Sequence, residues 1–300
     1  GSFMRREGKA SEQATIASRQ IDRPMRPLFP KDLRNDVSIV CTVMGNDYDN
    51  SPQVTALNGA SIAVAISDIP FNYTVAGVDV GLVDGEFVLN PTLEQRQKSL
   101  MDVTVCGTAE KIVMIEAGAK EVPENIMIDA IFKAHEVNQE IIKFIDRIVA
   151  ECGKEKHTYE SCAIPDELFA AIKEIVPPAE MEEAVFTDEK QKREENIRQI
   201  TERLEEAFAE NEEWLPLIGQ AVYQYQKKTV RKMILKDHKR PDGRKIDEIR
   251  PLAAEIDILP RVHGSGMFTR GQTQILNACT LAPLSEAQRL DGLDENETTK

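Results

Sequence analysis

The chain has 300 residues, 41% of them hydrophobic and 29% charged, with a formal net charge of −14; this composition excludes a wholly disordered protein and allows about two domains with hydrophobic cores. No apolar run approaches the roughly 20 residues of a membrane span, and the N-terminal segment lacks the apolar block of a signal peptide. The sequence therefore predicts a cytoplasmic protein without a membrane partner.

The first predicted elements are a strand and a helix. Val37–Met44 is a short, β-branched run between turn-forming residues, which is typical of a buried strand. Val54–Ser67 is rich in Ala, Ser and Gly, so it is predicted to form a helix that approaches a sheet closely and is buried on most sides.

Two antiparallel strand pairs are predicted next. Asp84-Gly85 is a dipeptide that tolerates positive φ angles, and it predicts a tight hairpin between residues 77–83 and 86–89. A second pair is predicted at residues 102–106 and 111–116. Strands in this order indicate an α+β fold rather than a doubly wound sheet.

Helical patterns dominate the middle of the chain. Apolar residues at three- and four-residue spacing predict one long helix from Pro123 to Gly153. Between about 158 and 236 the patterns are helical only, at Ile164–Val176, Glu189–Ala209 and Leu217–Leu235. The Glu-rich outer surface of this module is interpreted as a solvated face, with protein docking as the alternative.

Strand patterns resume after Arg240. They cover residues 254–259, 266–269 and 272–281, with a turn at Arg270-Gly271. The five cysteines lie far apart, and Cys41, Cys106 and Cys279 fall inside apolar runs. They are predicted to be small buried side chains, because zinc sites need ligands in short-spaced pairs.

The charge of the chain is segregated. Residues 1–34 hold eight Lys or Arg against four Asp or Glu, residues 227–250 hold ten against four, and residues 179–213 hold five against thirteen. Phosphate binding responds to the local field rather than to the total charge. The two basic segments are therefore candidates for an RNA path.

Two strings, one inside the first basic segment and one that starts in the second and continues beyond it, carry a family resemblance. One combines Phe3-Met4-Arg5-Arg6-Glu7-Gly8 with the run from Ser18 to Pro30, and the other combines the run from Arg240 to Lys245 with the run from Gly264 to Thr273. An aromatic ring beside paired arginines can stack on a base while the guanidinium groups bind phosphates. Together the strings resemble the ribonuclease PH fold as it is duplicated in the polynucleotide phosphorylase family.

This resemblance implies a fold and a domain order. The fold is α+β, with a ribonuclease PH-like core of the ribosomal protein S5 domain 2-like βαβα type, an all-α helical module and the start of a second PH-like core. The implied domains are a first PH-like domain lacking its N-terminal part, an all-helical linker domain and the truncated N-terminal part of a second PH-like domain, at residues 1–153, 158–236 and 240–300. Single-copy ribonuclease PH lacks the helical segment, which favours the duplicated family.

The resemblance also implies RNA-binding residues. They are Phe3, Arg5, Arg6, Arg19, Arg23, Arg26 and Arg270. The first three would lie on a loop that narrows the channel of a trimeric ring, with Met4 replacing a second aromatic residue. Structural ion pairing is the alternative role for Arg23 and Arg26.

By the same resemblance, the full-length protein degrades single-stranded RNA from its 3′ end, with inorganic phosphate as co-substrate and nucleoside diphosphates as products. Mg²⁺ or Mn²⁺ would be bound in the later part of the second copy. In the first copy Asp102 remains, but Thr104 and Arg96 replace a Lys and a second carboxylate, so no catalytic residue and no metal ligand is expected in this chain. The 300-residue chain is expected to be inactive in phosphorolysis.

The implied partners are single-stranded RNA, two further copies in a homotrimer, and an RNase E-type endonuclease and an RNA helicase of a bacterial RNA-degrading complex. The alternative function is a non-catalytic, PH-fold scaffold subunit of an RNA-degrading ring.

Overall fold

The computed structural model describes residues 10–287. The described chain forms two compact units, one up to Cys162 and the other from Ala163 to Glu286. In the part of the chain that is described, no helix is both long and apolar enough to cross a membrane.

The first unit contains a four-stranded antiparallel sheet with strand order β2-β1-β3-β4. Its elements in chain order are α1 (Glu12–Met25), α2 (Pro52–Ile66), β1 (Ala76–Val83), β2 (Glu86–Leu89), α3 (Leu93–Lys98), β3 (Met101–Gly107), β4 (Ile112–Ala119) and α4 (Glu124–Cys152). The predicted hairpin is confirmed, with Asp84 and Gly85 at φ angles of 50° and 84°. The second strand pair and the long helix are confirmed as well.

The two faces of this sheet differ because side chains alternate along a strand. Val80, Val103 and neighbouring apolar residues are fully buried against α4. The other face carries Gly77, Asp79 and Cys106, and it packs against α2. A Cβ atom on Gly77 would lie 2.3 Å from the Leu57 side chain, so the absence of a side chain permits this close packing.

The predicted strand at residues 37–44 is wrong. The segment has no strand geometry, and Val40 and Met44 are 83% and 91% exposed. A strand is stable only beside a hydrogen-bonded neighbour, and no strand of the described residues pairs with this run. Cys41 is consequently exposed, whereas Cys106 is buried as predicted.

The second unit begins with four helices around a shared core. They are α5 (Asp166–Ile175), α6 (Pro178–Val185), α7 (Lys190–Ala207) and α8 (Ile218–Leu235). The predicted helices end at Val176 and resume at Glu189, so the sequence prediction missed α6. Pro178 occupies the first turn of that helix, where its missing N–H group is not needed.

The remainder of the second unit is an antiparallel sheet with strand order β5-β6-β7. Its strands are β5 (Leu252–Ile256), β6 (Gly264–Arg270) and β7 (Thr273–Cys279). The turn predicted at Arg270-Gly271 is confirmed, with Gly271 at a φ of 59°. Cys279 is exposed rather than buried, because the described residues place no layer over β7.

Candidate nucleic-acid interface

Of the predicted RNA-binding arginines, Arg19 and Arg23 lie on α1, and Arg26 is the residue that follows its last turn. Arg19, Arg23 and Arg26 are exposed and are spaced by four and three residues, which brings them to one side of the helix. Ser11 caps this helix by accepting a hydrogen bond from the Ala14 N–H group. Sequence reasoning had assigned no helix to this basic run.

These arginines differ in their partners. Arg23 forms an ion pair with Glu116 on β4, and Arg26 donates from Nε to both carboxylate oxygens of Asp22, at 2.9 and 2.8 Å. Arg19 forms no ion pair within residues 10–287. Arg19 therefore has the guanidinium that is most available to a phosphate.

The other four predicted residues lie outside this helix in the sequence. Phe3, Arg5 and Arg6 lie outside the described residues. Arg270 is exposed at the end of β6, in the second unit, beside the tight turn at Gly271. The seven predicted residues thus remain predictions as RNA contacts.

The Arg-Pro-Asp-Gly-Arg string forms a compact ion cluster. Asp242 lies 2.7 Å from Arg244, 3.7 Å from Arg250 and 3.8 Å from Arg240. The hydrogen bond from Arg244 holds the pKa of the Asp242 carboxyl below its usual range. Three guanidinium groups share one carboxylate, so the cluster retains a positive charge.

The resemblance places Arg96 where the active copy has a carboxylate, and the structure gives this side chain main-chain partners. Arg96 donates to the carbonyl oxygens of Tyr48, Asp49 and Pro91, at 2.5, 2.9 and 2.7 Å. This guanidinium lies near enough to act electrostatically on the buried Asp79 carboxylate. A divalent metal ion needs several oxygen ligands. A position that already holds the guanidinium of Arg96 does not suit such an ion.

Asp79 is the buried carboxylate of this region. It is 7% exposed, and Thr104 Oγ1 donates to its Oδ1 at 2.6 Å. Burial raises the pKa of Asp79, and the nearby Asp102 acts in the same direction. Across β3, Thr104 lies between Asp79 on β1 and Glu116 on β4. Asp79, Thr104 and Glu116 are thus neighbours across three strands, and they lead from the buried carboxylate to the ion pair of Arg23.

Several polar and aromatic side chains of the first unit have structural roles. The Asn58 side chain donates to the Gly77 carbonyl at 2.9 Å and accepts from its N–H group at 3.0 Å, and Ser61 accepts from the Val75 N–H group at 3.0 Å. Both residues of α2 thus satisfy backbone groups of the chain that enters β1. Phe29 and Phe71 pack against each other with ring centroids 4.6 Å apart and ring planes tilted by 43°.

Sequence reasoning missed the contact made by Lys156. Its ammonium donates to the carbonyls of Val64, Ala65 and Ser67 at 3.1, 2.8 and 2.7 Å. Those carbonyls lie at the C-terminal end of α2, where a positive charge is favourable. The partners are about 90 residues away in sequence, so no local pattern signals the contact.

Three family models match the chain. Residues 1–70 match domain 1 of the 3′ exoribonuclease family, and residues 73–137 match domain 2 of that family. Residues 167–245 match a model described as the RNA binding domain of polyribonucleotide nucleotidyltransferase. The last match covers α5 from its second residue, α6 to α8, and Arg240, Asp242 and Arg244 of the ion cluster.

Similar curated proteins extend well beyond the chain. Proteins named polyribonucleotide nucleotidyltransferase from Lachnoclostridium phytofermentans, Ruminiclostridium cellulolyticum and Caldicellulosiruptor saccharolyticus are 68%, 54% and 47% identical to it. Each alignment covers 100% of this chain and 43% of the relative. The chain therefore spans less than half the length of these relatives. Rice (Oryza sativa) Rrp46 aligns with 47% of this chain and 68% of its own at 16% identity, with a TM-score of 0.42.

Proposed function

The chain belongs to the polyribonucleotide nucleotidyltransferase family, and from this premise we propose that the longer protein degrades single-stranded RNA from the 3′ end with phosphate, releasing nucleoside diphosphates. The observation that carries the proposal is the similarity to such proteins over the whole chain, at up to 68% identity. In this proposal the chain supplies RNA-guiding surfaces and no catalytic residue.

RNA guidance is assigned to the seven arginine and aromatic positions derived from the resemblance. Exposed arginines at helical spacing on α1 and the turn position of Arg270 support this assignment. Guanidinium groups bind phosphate oxygens strongly and in two-point geometry. The match of residues 167–245 to an RNA binding domain favours RNA over a protein as the partner of the helical module.

The metal and the assembly are part of the same proposal. Mg²⁺ or Mn²⁺ would neutralise charge that develops on the transferred phosphoryl group, and its ligands are assigned to the portion of the longer protein that this chain does not cover. The proposal includes a homotrimer in the bacterial cytoplasm, associated with an RNase E-type endonuclease and an RNA helicase. The named relatives are bacterial.

The test compares two purified proteins, the 300-residue chain and a protein with the full length of its relatives. Each is incubated with poly(A), inorganic phosphate and Mg²⁺, and ADP release is measured. We expect ADP from the longer protein only, and RNA binding by both. Failure of the longer protein to release ADP, while it still binds RNA, would favour the scaffold alternative. ADP release by the 300-residue chain would contradict the assignment of catalysis elsewhere.

A further inference from the structure

The outer face of α8 combines an exposed aromatic residue with exposed cations. Tyr223, Lys227 and Arg231 follow one another at intervals of four residues, which places them in one row about 6 Å apart along the helix axis. Tyr223 is 63% exposed, and Lys227 and Arg231 are exposed as well. The opposite face, with Ala221 and Tyr225, is buried in the helical core. The row is therefore not needed to hold the helices together.

The cations of this row have no carboxylate partners among the described residues. Ion pairs in the helical part of the second unit join Lys190 to Glu194, Arg198 to Glu195 and Glu202, and Arg203 to Glu180. All of them involve α7, and one of them joins α7 to α6. The acidic surface of α7 is thus partly neutralised within itself, whereas the positive charge on α8 is left for an external anion.

A second aromatic residue, Phe169 on α5, lies beside two further lysines, one of them next to Lys227 in the sequence of α8. The ammonium groups of Lys228 and Lys173 lie 4.2 and 4.8 Å from the centre of the Phe169 ring. Cation–π contact keeps both charges close to one ring although they repel each other. We call Tyr223, Lys227, Arg231, Lys228 and Lys173 the α8 patch.

We infer that the α8 patch binds single-stranded RNA, with phosphates on Lys227 and Arg231 and a base stacked on Tyr223. Cations alone would bind any polyanion, but an exposed ring beside them adds a stacking surface that only unpaired bases can use. This inference rests on the proposed function for the choice of RNA. It adds a contact surface distinct from the seven positions derived from the resemblance.

Variants in the 300-residue chain separate the two contributions. Lys227→Gln/Arg231→Gln removes two cations, and Tyr223→Leu keeps apolar surface but removes the ring. Lys190→Gln/Lys192→Gln is the matched control, because both residues are exposed on α7 and the change in net charge is the same. All of these side chains are exposed, so each variant should unfold thermally like the parent chain.

Binding of a labelled 20-nucleotide single-stranded RNA is measured by anisotropy across a salt series. For Lys227→Gln/Arg231→Gln we expect about tenfold weaker binding at low salt and a loss of about 1.4 from the slope of log K against log salt. For Tyr223→Leu we expect roughly fivefold or greater weakening with an unchanged slope. The control should bind as the parent chain does. The same RNA annealed to its complement should be insensitive to Tyr223→Leu.

Other outcomes overturn the inference. Unchanged affinity and slope in Lys227→Gln/Arg231→Gln would mean that RNA does not bind to α8. ADP release by the longer protein would then show that the proposed function survives this failure. A polyglutamate peptide that competes as well as RNA does would identify a general polyanion patch. Absence of RNA binding by the parent chain would contradict both the α8 patch and the RNA-guiding role of the chain.

Discussion

Arg23 on α1 and Glu116 on β4 form an ion pair across 93 residues of sequence, and both side chains remain about half exposed, at 47% and 50%. An exposed pair of this kind contributes roughly 0–1 kcal/mol to the free energy of unfolding. The pair therefore leaves Arg23 available to exchange its carboxylate for a phosphate. Structural and RNA-binding roles of this residue are compatible.

Glu116→Gln is predicted to strengthen RNA binding by the chain. If Arg23 contacts a phosphate, the Glu116 carboxylate competes with that phosphate, and its removal lowers the cost of exchange by up to about 1 kcal/mol, or about fivefold in affinity. Anisotropy with the 20-nucleotide RNA at low salt measures the change. Glu121→Gln, which removes an exposed carboxylate just after β4, controls for net charge. Equal effects of the two variants would mean that Arg23 is not a specific contact.

Arg19→Gln is predicted to weaken RNA binding without affecting the fold. Arg19 is exposed and has no ion pair within the described part of the chain. The slope of log K against log salt should fall by about 0.7, the value for one phosphate contact on a single strand. The free energy of unfolding in urea should change by less than about 0.5 kcal/mol. A marked loss of stability with unchanged RNA binding would mean that Arg19 supports the fold and does not contact RNA.

Asn58→Leu is predicted to destabilise the first unit by about 1–3 kcal/mol. The substitution keeps the branching of the side chain at Cγ but leaves the N–H and carbonyl groups of Gly77 without the partners they have in α2. Urea denaturation measures the difference. Thr55→Val, on the exposed side of the same helix, should change the free energy of unfolding by less than about 0.5 kcal/mol. Equal stability of the two variants would contradict the role of Asn58.

Lys156→Met is predicted to cost about 1–3 kcal/mol of stability. The ammonium that satisfies three carbonyl oxygens at the end of α2 is lost, while the apolar stem is retained. Lys154→Met is the control, because only the backbone N–H group of Lys154 contacts α2, at Ile66. A thermal unfolding midpoint that is lowered equally by both variants would argue against the carbonyl contacts.

Local patterns sufficed for elements whose signal lies within a few residues. The Asp84-Gly85 turn specifies its hairpin, and the apolar spacing of α4 specifies a helix that begins after Pro123. The segment 37–44 failed because strand formation depends on a neighbour that its own residues do not encode.

The candidate site shows the same division. Charge segregation identified the basic segments, but the spacing of Arg19, Arg23 and Arg26 acquires meaning only once α1 is known to be a helix. The Glu116 partner of Arg23 depends on packing between elements far apart in sequence. Pairings of this kind are set by tertiary structure, so a single sequence does not reveal them.

The buried Asp79 carboxyl is predicted to make stability depend on pH. Its pKa is raised in the folded chain by burial, so the folded state holds the proton more tightly than the unfolded state does. Between the unfolded and the folded pKa, the folded state therefore binds more protons, and the free energy of unfolding falls as pH rises. Above the folded pKa, the stability that protonated Asp79 contributes is completely lost.

Asp79→Asn removes this dependence. The stability of the variant relative to the parent chain should increase as pH rises above about 4, the ordinary range of an Asp, and then level off above the folded pKa. Thr104→Val removes the hydroxyl that donates to Asp79 and holds its pKa down. The folded pKa of Asp79 should therefore be higher in that variant, and its free energy of unfolding should continue to fall up to a higher pH. Urea denaturation from pH 4 to 8 measures both curves. A difference between Asp79→Asn and the parent chain that does not vary with pH would mean that Asp79 titrates alike in the folded and unfolded states.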